Sequence, residues 1–252
     1  MEVFFMFKNF IESAKSIKNL RVLCSTALLA ALYVALYAVK IPLLEQLRIT
    51  FTFVPVALAG WLFGIIPAIL VGIIGDVIGC FAFPQGAYFW GYTLTAALNG
   101  LIFGLILYKK DESRLFWYVP AKLSGKPSGR LIAIIPAILV GVFYYFYDKS
   151  FWGGLISGVV FGFFFYKKDE TNFLWYAFLS KLLVSLLLNV GLNSYWATFF
   201  VPKSFDLIMW GKLTKNAFML PIEVWVLYRV MEGLKRAGIQ KMYNRQAPRK
   251  KA

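Results

Sequence analysis

ITFTFVPVALAGWLFGIIPAILVGIIGDVIGCFAF, residues Ile49–Phe83, carries one charged side chain, Asp76, in 35 positions. The hydrocarbon core of a bilayer is about 30 Å thick, so a helix rising 1.5 Å per residue needs roughly 20 mainly apolar residues to cross it. The stretch is therefore too long for one ordinary span. Gly64 and Pro67 interrupt it, and both residue types favour a turn over a helix interior. Two helices are predicted, Thr50–Phe63 and Ile65–Phe83, folded back on each other in a membrane.

The rest of the 252-residue chain follows the same rule. It is 60% hydrophobic and 15% charged, whereas soluble domains are nearer 45–50% apolar and about 25% charged. Such a chain lacks the charge to clothe a water-facing surface, and the bilayer must be its solvent. Further spans are predicted at Val22–Leu44, Tyr88–Tyr108, Leu131–Tyr147, Trp152–Tyr166, Phe173–Gly191 and Ile208–Met231, giving an all-α, polytopic bundle of about eight transmembrane helices. With the N-terminus inside, 20 of the 27 Lys and Arg fall on cytoplasmic segments. This satisfies the positive-inside rule and puts both termini in the cytoplasm. The formal charge of +15 is then a topology signal and not a nucleic-acid footprint.

Residues 1–20 alternate apolar and basic side chains without a signal-peptide pattern and read as an amphipathic segment on the inner membrane surface. The membrane domain covers 21–238, and a basic cytoplasmic tail occupies 239–252. Histidine is absent, which removes the commonest general base and metal ligand. Cys24 and Cys80 sit in apolar stretches and read as packing residues. Neither an enzyme, a metal site nor a cofactor is expected. No Walker A pattern occurs; GKPSGR at Gly125–Arg130 lacks the spacing.

Self-comparison reveals a duplication. IIPAILVG occurs at Ile65–Gly72 and again at Ile134–Gly141, and FGLILYKKDESRLFWY at Phe103–Tyr118 matches FGFFFYKKDETNFLWY at Phe161–Tyr176 in 9 of 16 positions. The second copy, a helix hairpin at about 124–168, lacks the polar-aromatic loop of the first. Removing two helices preserves the inside/outside alternation and leaves a six-helix core.

The outer ends of that core gather a particular set of groups: Arg48, Phe51 and Phe53; Phe83, Pro84, Gly86, Tyr88, Phe89, Gly91 and Tyr92; then Asn189, Asn193, Trp196 and Lys212. Aromatic faces with a few amides and cations suit a flat heteroaromatic ligand carrying carboxylates. An aromatic belt at the membrane interface accounts for part of the same pattern. Asp76 lies in mid-span, where an ionisable group is costly; it reads as a structural anchor for a polar partner such as Asn99 or Lys181. Ala27, Ala31 and Ala35 recur every four residues on one helix face, which permits close helix approach.

ALLAALYVALY (Ala27–Tyr37), LRITFTFVPVALAG (Leu47–Gly60), GDVIGCFAFPQGAYFWGYTLTAALNGLIFG (Gly75–Gly104), LVSLLLNVGLNSYW (Leu183–Trp196) and KLTKNAFMLPIEVWVLY (Lys212–Tyr228) carry a resemblance to the substrate-binding S components of energy-coupling factor (ECF) vitamin transporters, folate-type members above all. The resemblance covers most of the chain outside Lys122–Lys167. It implies a multi-pass protein of the bacterial plasma membrane that binds a folate-like vitamin and works with an ECF transmembrane subunit and two ATPase subunits. It also implies that the Ala27, Ala31 and Ala35 face docks on the transmembrane subunit. Where folate-type members carry Arg at the start of the last helix, this chain has Lys212, which keeps the charge but loses the bidentate fork. An S component for thiamine or pantothenate and a purely structural membrane protein stand as alternatives.

Overall fold

The computed structural model describes residues 10–39, 41–44, 47–84, 88–108, 171–200 and 204–239. The expected spans Leu131–Tyr147 and Trp152–Tyr166, and the duplicated hairpin with them, lie outside these residues. Helix α1, Leu20–Ala38, starts on Asn19, whose side-chain oxygen accepts from the Arg21 N–H at 3.1 Å, a usual N-cap arrangement. It ends six residues before the expected Leu44. Ile41 precedes Pro42, and the residue before a proline is steered away from helical angles. The chain extends instead: β1, Ile41–Leu44, pairs antiparallel with β2, Leu47–Ile49, setting Pro42 opposite Arg48. The helical fold thus gains a small β-hairpin.

Helix α2, Phe53–Phe63, is 11 residues long, about 16 Å, about half the thickness of a bilayer core. It begins three residues later than expected, which places Pro55 in its first turn, where a missing N–H loses no helical bond. Every α2 residue except Leu62 is buried, as a helix apolar on all sides requires. The other helices pack around it.

Gly64, with φ of 100°, ends α2 and starts α3, Ile65–Ala82. The helical turns at residues 10–16 brace this corner. Ser13, fully buried, accepts from the Ile66 N–H at 2.9 Å through Oγ and reaches the Phe63 carbonyl at 3.4 Å. A side chain thus supplies the cap that the α3 N-terminus otherwise lacks. Helix α4, Trp90–Leu107, runs antiparallel to α3 at backbone contact: a Cβ on Gly100 would come within 2.5 Å of the Ala68 carbonyl. Small residues permit this approach where lipid supplies no hydrophobic drive between helices.

The next rod is longer than expected. Helix α5, Thr171–Leu183, passes into a π-helical stretch, Val184–Leu192, and then α6, Asn193–Thr198. The final helix, α7, Phe205–Arg236, has 32 residues, about 48 Å. It runs antiparallel to the α5–α6 rod, pairing Lys181 with Glu223 and Lys212 with Asn193. Among the described residues, four helices are long and apolar enough to cross a membrane: Leu20–Ala38, Ile65–Ala82, Trp90–Leu107 and Tyr176–Thr198. Leu28, Leu32, Ile74, Ile78, Leu186 and Leu187 stand exposed on their outer faces. That apolar surface is suited to lipid and not to water.

Candidate ligand-binding site

A cavity of about 210 Å³ lies between the helices toward the end of the bundle that carries the β-hairpin. Tyr33 of α1 and Thr50, Thr52, Phe53 and Val56 at the start of α2 form one side, with Ala96 and Asn99 of α4. The rod contributes Lys181, Val184, Asn189 and Asn193, and α7 contributes Lys212, Lys215, Asn216 and Glu223. Three cations therefore face one carboxylate among the described lining residues.

Lys181 and Glu223 sit deepest. Their side chains are 3% and 9% exposed, and Lys181 Nζ stands 3.2 Å from Glu223 Oε2. The same ammonium lies 3.6 Å from the centre of the Phe53 ring. Desolvated charges persist only when paired, and the ring face adds a cation–π contact. Higher on α7, Lys212 Nζ donates to the Asn193 carbonyl at 2.5 Å. Asn193 Nδ2 reaches Asn189 Oδ1 at 3.5 Å. The π-helical stretch holds Asn189, and its wider turn changes which residues face inward, a feature frequent at functional sites. Several buried polar atoms here have no hydrogen-bond partner: Asn99 Oδ1, Asn193 Oδ1 and Glu223 Oε2 on the cavity residues, and Trp196 Nε1 one turn beyond. Buried polar groups are nearly always satisfied, so this set is chemically suited to receive a ligand's complementary groups.

The structure divides the residues singled out by sequence into groups. Phe53, Asn189, Asn193 and Lys212 line the cavity, and Phe51 packs beside Phe53 with ring centres 6.3 Å apart. Phe89, Gly91, Tyr92 and Trp196 belong to an aromatic cluster further toward the hairpin end. Phe89 is its hub, 5.5 Å from Trp196, 5.9 Å from Tyr92 and 5.2 Å from Phe200, and Gly91 is buried against the Trp196 ring. Phe83, Pro84 and Tyr88 are exposed, with Tyr88 stacked on Phe81. Arg48 lies on β2, and Gly86 falls outside the described residues. Sequence reasoning left out Tyr33, Thr52, Val56, Asn216 and Glu223. It weighed Lys181 only as a partner for Asp76, whereas the structure pairs Lys181 with Glu223; each stands alone in an apolar segment, which was the available signal.

Asp76 accepts from Thr93 Oγ1 at 2.8 Å, and Thr93 shares a 2.9 Å contact with the Tyr88 hydroxyl. The carboxylate thus ties α3 to the first turn of α4 and its preceding loop. Ala27, Ala31 and Ala35 are all exposed on α1, away from the core residues Ala30 and Tyr33. Among the described residues, no group of three or more His, Cys, Asp or Glu could hold a metal ion.

A lipid-facing helical bundle with a positively charged cavity near one end defines a membrane-embedded solute-binding protein. Residues 17–121 match the family described as ECF-type riboflavin transporter, S component. The folate transporter FolT of Clostridium novyi (strain NT) is 26% identical over 193 residues, 77% of either chain. The folate transporter FolT of Leuconostoc mesenteroides subsp. mesenteroides is 33% identical over 93 residues, 37% of this chain and 49% of that one. A crystal structure of FolT bound with folic acid shares the fold at a TM-score of 0.55 and 22% identity, covering 84% of this chain and 93% of that one. Over residues 17–121 the chain is similar to S components of the energy-coupling factor type, and its apolar helices are those of a multi-pass membrane protein.

Proposed function

We propose that this chain is an S component of the energy-coupling factor type and that it captures folate. The observation that carries the reading is the charge of the cavity: three lysines and one glutamate beside Phe53 and Tyr33. Folate offers a flat ring for the aromatic faces, donors and acceptors for the amides, and two carboxylates for the lysines. The matched family's description names riboflavin, but riboflavin is uncharged and would leave the lysines without counter-charge. Two relatives named as folate transporters support the same choice. At about 210 Å³ the cavity is smaller than the roughly 300–1,000 Å³ usual for ligand sites. A folate-sized ligand would therefore extend past it toward Trp196, Phe89, Pro84 and the β-hairpin that holds Arg48.

Around this site the proposal places eight spans with both termini cytoplasmic, the segment 1–20 on the inner surface and the tail 239–252 behind it. The hairpin at 124–168 is an insertion into a six-helix core, a reading supported by the repeats of IIPAILVG and of YKKDE. The exposed face of Ala27, Ala31 and Ala35 receives the ECF transmembrane subunit, which in turn works with two ATPase subunits. Tryptophan-fluorescence titration of the detergent-purified chain tests the ligand. Saturable quenching by folic acid at nanomolar concentration, with none by riboflavin, is the expected result; the reverse order would transfer the assignment to riboflavin.

A further inference from the structure

Glu223 is the one carboxylate among the described residues of a cavity otherwise rich in donors. It is 7% exposed, and its Oε2 lies within ion-pair reach of Lys181 without forming a hydrogen bond. Pairing with Lys181 explains how the charge is tolerated but leaves acceptor capacity unused, because a carboxylate offers about four lone-pair sites. Its position along α7 is also informative. Lys212 and Lys215 precede it by eleven and eight residues on the same helix, about 16 and 12 Å along the axis. The cavity is therefore graded, with Lys212 and Lys215 toward the hairpin end and the Lys181–Glu223 pair at depth. A ligand with an anionic tail and a donor-bearing ring is best matched ring first, its tail toward Lys212 and Lys215 and its donors toward Glu223.

Resting on the folate reading, we infer that Glu223 is the specificity-determining residue for the ring, accepting from two adjacent N–H donors. An aminopyrimidinone edge presents a ring N–H and an exocyclic amino group side by side, and two carboxylate oxygens match them as they match an arginine fork. An imide edge, as in a flavin, presents carbonyl, N–H and carbonyl, so the carboxylate would meet one N–H while its second oxygen faced a carbonyl. Discrimination of this kind is large because the wrong ring leaves buried polar groups unpaired. Asn99, whose Oδ1 is buried and unpartnered on the same cavity, supplies an additional acceptor for the same ring.

The test compares folic acid with its analogue bearing a methyl group in place of the ring amino group, titrated into the purified full chain in detergent. Wild type is expected to prefer folic acid by about tenfold or more. Glu223→Gln should bring the two ligands to within about twofold of each other. The double variant Lys181→Met/Glu223→Gln removes both charges together, so that no buried lysine is left unpaired, and should equalise the ligands in the same way. Variants that keep the wild-type preference, or a wild type that has none, would overturn the role of Glu223 alone. A wild type that binds neither ligand would overturn the folate reading with it.

Discussion

Lys212 holds the Asn193 carbonyl at 2.5 Å with one of its three N–H donors, which leaves two for an incoming carboxylate. Lys212→Met is therefore expected to weaken folic acid binding about tenfold or more, since a charged hydrogen bond contributes roughly 1.5–3 kcal/mol. Lys212→Arg should keep most of the affinity. Fluorescence titration of both variants checks the pair, and equal affinities for Met and wild type would remove Lys212 from the site. Asn193→Ala and Trp196→Ala act through different contacts, an amide on the cavity and an indole in the aromatic cluster. Each should also cost about tenfold in a protein that still folds, on the same scale of one lost polar or stacking contact. Phe53, Asn189, Asn193 and Lys212 were legible in the sequence because amides and cations among apolar residues stand out one by one. Glu223 was not, because its meaning depends on Lys181, 42 positions away on another helix. Local pattern carries no information about which lone charges meet.

Gly64 and Ser13 show where element boundaries come from. The break in the long apolar run was legible, since Gly64 and Pro67 announce it. The brace was not, because it is made by residues some 50 positions earlier whose pattern reads as a surface helix. A Cβ at Gly64 would sit in a positive-φ conformation and 2.7 Å from Ser13 Oγ. Gly64→Ala should therefore destabilise by about 2 kcal/mol or more, from the strain of a backbone region that essentially only glycine adopts, roughly 1–3 kcal/mol, together with the clash. Ser13→Ala should lose only about 1–2 kcal/mol, the usual effect of a missing cap. Melting in detergent ranks them, and a Ser13→Ala loss as large as that of Gly64→Ala would contradict the strain argument. The strand pair at Ile41–Ile49 and the π-helical turns escaped sequence reading for another reason. Hydropathy reports burial, and neither a hairpin at a membrane edge nor an extra residue in a helical turn changes it. The α1 face is a test at this same scale. Ala31 is exposed, so Ala31→Trp should leave folic acid binding within about twofold, because an exposed substitution away from the core has little effect on the fold. It should nevertheless abolish co-purification with the transmembrane subunit, and a normal complex would remove the docking face.

The topology of the whole molecule rests on charge asymmetry and on parity. Twenty of 27 cations fall on one set of loops, and reporter fusions at Lys126 and after Gly238 should both read cytoplasmic; an external signal at either would break the eight-span arrangement. Parity makes a stronger demand. A membrane chain can lose two consecutive spans and keep every later segment on its original side, whereas losing one would invert the remainder. The cavity draws on α1, α2, α4, the α5–α6 rod and α7, all of them outside 124–168. A chain with residues 124–168 deleted should therefore insert with both termini cytoplasmic and bind folic acid within about threefold of the full chain, because the deletion removes none of the residues that line the cavity. The same deletion extended to residue 191 removes Lys181 and Asn189 and one further span. It should lose both binding and the cytoplasmic C-terminus. Loss of binding from the shorter deletion, in a chain whose C-terminus still reads cytoplasmic, would mean that the repeated hairpin helps to hold the ligand and is not a silent copy.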